Sequence, residues 1–173
     1  MKTKYVVVVP YAPQWPLEFE KIAQPVRRAL GGLCLRVEHV GSTSVPGLWA
    51  KAIIDLDVVI RREDFSAAVQ ALAGLGYTHQ GDLGIPDREA FDYSGKPELM
   101  RHHLYVCPED SAELRRHTAL RDTLCRRDDL RKAYSRVKQE GARRFPADID
   151  GYLAYKSEII REIYTAAGVE GEP

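Results

Sequence analysis

Apolar positions recur along the chain in two rhythms. Alternation with β-branched residues predicts strands at Val6–Val9, Leu35–Val40, Ala52–Ile60, Glu89–Tyr93 and Arg101–Cys107, each bounded by Gly, Pro or charged residues. A three-to-four-residue spacing predicts helices at Trp15–Leu30, Asp64–Leu75, Ser111–Arg126, Asp129–Arg143 and Ile149–Ala167, with Asp64 and Ser111 placed as N-caps. The two kinds of element are mixed up to Pro108, and beyond it the chain reads as nearly continuous helix. The pattern therefore predicts an α+β fold, a small twisted mixed sheet with helices on one face and a helical segment closing a cleft over the other. No repeat or linker-like tract interrupts it. The expectation is one domain over 1–173, with a sheet core at 1–108, a helical part at 109–168 and a frayed tail at 169–173.

Within the most apolar of these strands, two aspartates break the pattern. In IDLDVVI, Asp55 and Asp57 project from one face, about 7 Å apart at Cα, while Ile54, Leu56 and Val58 enter the core from the other. Carboxylates this close repel unless a cation lies between them. Hard oxygen ligands of this kind suit Mg²⁺ or Mn²⁺, which keep several waters and complete their shell from substrate phosphates. Two ordinary surface acids would show the same spacing, so the preceding segment matters. There Gly41 allows close backbone approach, and Ser42, Thr43 and Ser44 offer hydroxyls and amides suited to a phosphate nest. Lys51, just before the strand, adds a cation.

The segment EHVGSTSVPGLWAKAIIDLDVVI closely resembles the signature of the GrpB-like family, a group within the polymerase β-like nucleotidyltransferase superfamily whose pattern is G-S followed by D-x-D. YAPQWPLEFEKI, HHLYVCPEDS, ALRDTLCRRDDLRKAYSRVKQE and YLAYKSEIIREI resemble family segments in the family's order, so the likeness covers essentially the whole chain. It implies the polymerase β-like fold. It further implies a nucleotide or coenzyme-like small molecule as partner, since related domains occur joined to dephospho-coenzyme A kinase. Asp55 and Asp57 would then be the metal-binding and catalytic carboxylates.

Active enzymes of that superfamily use a third carboxylate on a neighbouring strand, and the corresponding strand here, RHHLYVC, has none. Because Leu104 and Val106 face the core, His103 and Tyr105 should face the aspartates. His103 is thus a catalytic candidate, able when neutral to bind metal or accept a proton, and Tyr105 a substrate-binding one. Glu38 and Asp92, on other strands, are fallback acids.

The helical part carries misplaced cations. Lys138 and Lys156 fall on apolar stripes, and Arg121 follows Leu114 and His117 at helical spacing, so each needs a carboxylate partner or a ligand-filled cleft. Arg88, the cation of the Gly/Pro loop GIPDREAF, is placed to fold over a cleft. From Arg115 to Arg144 eleven Lys or Arg face four Asp or Glu. Yet the whole chain balances 25 basic against 25 acidic side chains, which argues against nucleic acid as a partner. No apolar run approaches membrane-spanning length and the start lacks a signal-peptide pattern, so no membrane and a cytoplasmic address are expected. Cys34, Cys107 and Cys125 are too far apart for a disulfide framework or zinc site and read as buried free thiols. Three functions remain: metal-dependent nucleotidyl transfer from a nucleoside triphosphate, with Ser42 and nearby amides on the phosphates; a catalytically silent nucleotide- or coenzyme-binding module; and an interaction domain for RNA or a protein partner.

Overall fold

Residues 4–170 are described by the computed structural model, which turns the alternating and helical patterns into five strands and five α-helices. The elements are α1 (Trp15–Leu30), β1 (Cys34–Val40), β2 (Ile54–Ile60), α2 (Phe65–Gly74), β3 (Tyr77–Gly81), β4 (Glu89–Tyr93), β5 (His102–Pro108), α3 (Ala112–Arg126), α4 (Asp128–Arg144) and α5 (Ile149–Ala167). The sheet order is β1-β2-β5-β4-β3. Only β2 and β5 run parallel, and the other pairs are antiparallel. It is a five-stranded mixed sheet with the D-x-D strand inside it.

One sheet face packs on α1 and α2. Ile54, Leu56 and Val58 of β2 meet Leu104 and Val106 of β5 and the apolar stripe Phe19, Ile22, Ala23 and Val26 of α1 in one core. The other face receives the helical part. Val59 and Cys107 pack on Leu114 of α3, while Val45 and Leu48 of the VPGL segment join Leu124, Leu130, Tyr134, Ile159 and Ile163 in a second core between α3, α4 and α5. Trp49 N–H donates to Ser135 Oγ at 3.1 Å, tying that segment to α4. Helix starts follow local chemistry. Ser111 Oγ accepts from Leu114 N–H at 3.2 Å, and Asp148 Oδ1 accepts from Gly151 N–H at 2.9 Å.

Several expectations fail here. Val6–Val9 is no strand. Val9 alone pairs, with Ala50; Val6 N–H donates to Pro146 O at 2.9 Å; and Val7 is exposed, because no neighbouring strand lies beside the segment. Tyr77–Gly81 is a strand that alternation did not reveal, since an edge strand rich in polar residues carries little apolar signal. Asp64 makes no side-chain cap and sits in a short 3-10 turn before α2. All three cysteines are free, but only Cys107 is buried and Cys125 is exposed. Of the tail expected at 169–173, residues 171–173 lie outside the described residues, and Val169 N–H still closes α5 on Tyr164 O at 3.1 Å. Among the described residues no helix is long and apolar enough to cross a membrane.

Two glycines separate helix propensity from packing. A Cβ on Gly74, at the end of α2, meets nothing within 4 Å, whereas one on Gly141 of α4 comes 3.0 Å from ring carbons of both Tyr152 and Tyr155 of α5. Alanine is the better helix former by about 1 kcal/mol, and overpacking costs about 1–3 kcal/mol. Gly74→Ala should raise the melting temperature and Gly141→Ala should lower it, as thermal denaturation of the two variants will show.

Candidate functional site

The site grows from the register of β2 against β5. Asp55 lies opposite His103 and Asp57 opposite Tyr105, so all four side chains leave the same sheet face. Glu38 of β1 is opposite Asp57 on the other side. His103 Nδ1–H donates to Asp55 Oδ1 at 2.8 Å, which orients the imidazole and leaves Nε2 with the acceptor lone pair in the neutral ring. Gly41 makes this possible. With φ +71° it turns the chain beside Asp55, and a Cβ there would lie 2.3 Å from Asp55 Oδ2.

Asp57 is 0% exposed. Its Oδ2 accepts from His117 Nδ1 of α3 at 2.6 Å, and His117 Nε2 lies 3.2 Å from Glu113 Oε1. Both ring N–H groups point at carboxylates, a geometry that only the doubly protonated ring satisfies. Burial alone would lower the His117 pKa, but the hydrogen bonds to Asp57 and Glu113 outweigh it and raise it to about 9. Burial pushes the Asp57 carboxyl above its ordinary range, with His117 pulling the other way. The sequence reading did not choose His117, although it stands on the same stripe as Leu114 and Arg121.

The loop residues divide. Ser42 Oγ meets the Lys138 ammonium and faces the cleft. Thr43 does not: it is buried, donating to Ile53 O at 3.2 Å and meeting His39 Nε2 at 3.0 Å. Ser44 Oγ donates to Gly41 O and braces the turn. Of the three hydroxyls expected to hold phosphate, one is in position.

Gly41, Ser42, Asp55 and His103 line a cavity of about 240 Å³ together with Lys51, Lys138 and Lys156. Lys138 is 3% exposed, and burial followed by the neighbouring Lys156 drives its pKa well below the usual lysine value. Burial and Lys51 bring Lys156 down to about 8, and burial also lowers Lys51. Asp55 is the opposing charge common to all three. Arg121 reaches the same cavity, yet its guanidinium is engaged, donating to Glu38 Oε2 at 2.7 Å, His39 O at 3.1 Å and Asp122 Oδ1 at 2.9 Å. That pair also removes Glu38 as a substitute third acid.

Beyond His103 lies a second cavity of about 330 Å³, lined by Tyr105, Ala90, Asp92, Gln80 and Arg101 among others. Asp92 is exposed, and its Oδ1 accepts from Tyr93 N–H at 2.9 Å. Arg88 lies outside both cavities, its guanidinium 4.3 Å from the Tyr105 ring centroid. The loop that presents it is pinned, because Arg62 donates to Asp87 at 2.7 and 3.1 Å and Ser111 Oγ donates to Asp87 O at 2.9 Å. Elsewhere on α3 and α4 the basic run is laced with local pairs, Arg127 to Asp129, Lys132 to Asp128 and Arg143 to Glu140.

A divalent cation can be tested against these residues. Asp57 Oδ1 is buried without a hydrogen-bond partner, and such an orphaned carboxylate oxygen is the donor a cation would take. Among the described residues no three His, Cys, Asp or Glu side chains converge as a metal cage. Two carboxylates suffice for Mg²⁺ or Mn²⁺ that brings phosphate and water ligands, so the donor set fits an ion arriving with its nucleotide. Asp57 has no solvent contact, and an ion reaches it only when the side chains around it yield.

The family described as GrpB protein matches residues 5–166. A UPF0157 protein of Halalkalibacterium halodurans is 35% identical over 94% of this chain and 82% of its own length. The crystal structure of conserved protein GrpB from Enterococcus faecalis superposes with a TM-score of 0.78 and 32% identity, over 92% of this chain and 98% of that one. A protein named dephospho-CoA kinase from Mycolicibacterium paratuberculosis is 30% identical over 94% of this chain, which spans only 46% of that protein.

The His117 contacts set a pH dependence. A histidine whose pKa rises from about 6.5 on folding contributes stability that is fully present below the unfolded value and is lost as pH climbs through the folded one, here about 9. Thermal melts between about pH 7 and pH 10 should show the protein losing stability and His117→Gln losing less. Parallel curves would mean that His117 is uncharged in the folded protein.

Proposed function

The chain belongs to the GrpB family, and we propose that it is a nucleotidyltransferase that moves a nucleoside monophosphate from a nucleoside triphosphate to a small-molecule hydroxyl. The observation that carries this reading is the Asp55–His103 pair standing between two cavities, one lined by lysines and one not. On the lysine side, Ser42, Lys51, Lys138 and Lys156 bind and neutralise the β- and γ-phosphates, which leave as pyrophosphate. On the other side His103 Nε2 takes the proton of the acceptor hydroxyl while Asp55 holds the ring in the tautomer that can do so. The acceptor oxygen forms its bond to the α-phosphorus as the bond to the bridging oxygen breaks, so attacking and leaving oxygens lie on opposite sides of that phosphorus. Held by Asp55 and Asp57, Mg²⁺ or Mn²⁺ would supply positive charge against the phosphate oxygens. In this reading His103 takes the role of the third carboxylate that related enzymes use.

A second reading, a silent nucleotide- or coenzyme-binding module, draws on Asp57: it is sealed from solvent and held by His117, and Glu38 is committed to Arg121. Kinetics separate the two. With Mg²⁺ or Mn²⁺, a nucleoside triphosphate and a panel of hydroxyl acceptors, pyrophosphate release should be detected, and His103→Ala should lower turnover by about 100-fold or more while calorimetric affinity changes little. Asp55→Asn should abolish turnover, since it removes both a carboxylate charge and the orienter of His103. Binding without pyrophosphate release under every condition would select the silent module.

A further inference from the structure

We propose that the lysine cavity recognises a condensed phosphate chain and does not read the base attached to it. The proposal rests on the phosphate role given above to that cavity, and three observations carry it further. First, the charge is concentrated. Three lysine side chains, Lys51, Lys138 and Lys156, converge on a space whose lining carboxylate, Asp55, is hydrogen-bonded to His103, and Lys138 within it is buried and bonded to Ser42 Oγ. Such a cluster is complemented by a multiply charged anion, and several linked phosphates supply that in a small volume.

Second, the cavity is small. At about 240 Å³ it lies below the roughly 300–1,000 Å³ typical of sites that enclose a whole organic ligand, so the phosphate chain enters and the nucleoside stays at the mouth.

Third, the tyrosine rings of the site already carry cations. Sequence-tolerant and base-selective sites alike hold bases by stacking them on aromatic rings. Here Lys138 Nζ lies 4.4 Å from the Tyr134 centroid, Lys156 Nζ 4.5 Å from the Tyr152 centroid, and the Arg88 guanidinium 4.3 Å from that of Tyr105. Tyr134 and Tyr152 are also 5% and 1% exposed. The remaining lining ring, His103, is held in plane by Asp55 and is the proton acceptor of the proposed transfer. Each cation that covers a ring removes a platform, and the two lysines do so while forming the anion site. Phosphate recognition and the absence of base stacking have the same structural cause.

Calorimetry on the whole chain with Mg²⁺ tests this using inorganic triphosphate, the four common nucleoside triphosphates and AMP. Inorganic triphosphate and all four nucleotides should bind within about threefold of one another, where a stacked base would add about tenfold or more, and AMP should bind at least about a hundredfold more weakly. Lys138→Met should weaken every triphosphate alike. Lys51→Met, at the half-buried edge of the cluster, should do so in the same direction without disturbing the interior. A spread above about tenfold among the nucleotides, or tight AMP binding, overturns base indifference and leaves the nucleotide reading standing. No binding by any triphosphate overturns both.

Discussion

Two carboxylates on an inner strand of a sheet have to be neutralised, and the arrangement of the helical part follows from that constraint. Asp57 has no contact with solvent, so its charge is carried at 2.6 Å by a side chain from α3. One turn further along α3, Arg121 holds Glu38 of the adjacent strand. Leu114 anchors the same stripe in the small apolar cluster with Val59 and Cys107. The helix therefore docks through one stripe that is apolar at its start and cationic beyond. An ionised carboxylate left alone in that interior would cost on the order of several kcal/mol.

Asp55 is neutralised differently, and the difference separates binding from chemistry. Its immediate partner is the His103 ring, a group that exchanges protons, while the more distant charges are three lysines on α4, α5 and the loop before β2. Burial lowers all three lysine pKa values, and repulsion from Lys156 and Lys51 adds to the effect on Lys138, as that from Lys51 does on Lys156. In the proposed function an arriving polyanion would relieve that repulsion, which couples ligand binding to lysine protonation.

Positioning comes from backbone as much as from charge. Gly41 lets the loop pass against Asp55 where a Cβ would collide. The inward hydroxyl of Thr43 ties that loop to Ile53 O at the start of β2, and Ser44 closes the turn, so Ser42 alone is left facing the cleft. On the far side, the positive-φ Asp87, fixed by Arg62 and Ser111, holds Arg88 over Tyr105. Both loops are braced by side chains that an inventory of polar residues would assign to the ligand.

What the sequence determined is what repeats along it or lies close within it. Period two placed Asp55 and Asp57 on one face and turned His103 and Tyr105 toward them, because strand geometry fixes alternate directions wherever one face is apolar. Helical spacing put Lys138 and Lys156 on inward stripes. The resemblance carried by Gly41–Ser44 and the two aspartates fixed the fold. Tertiary structure decided the partners. His117 lies sixty residues from Asp57, and Arg121 eighty-three from Glu38, so no local pattern could pair them. It also decided that Thr43 turns inward, that Val6–Val9 finds no strand to join and that Tyr77–Gly81 does. The physical reason is the same in each case: periodicity specifies which way a side chain points, and only the packing of distant elements specifies what it meets there.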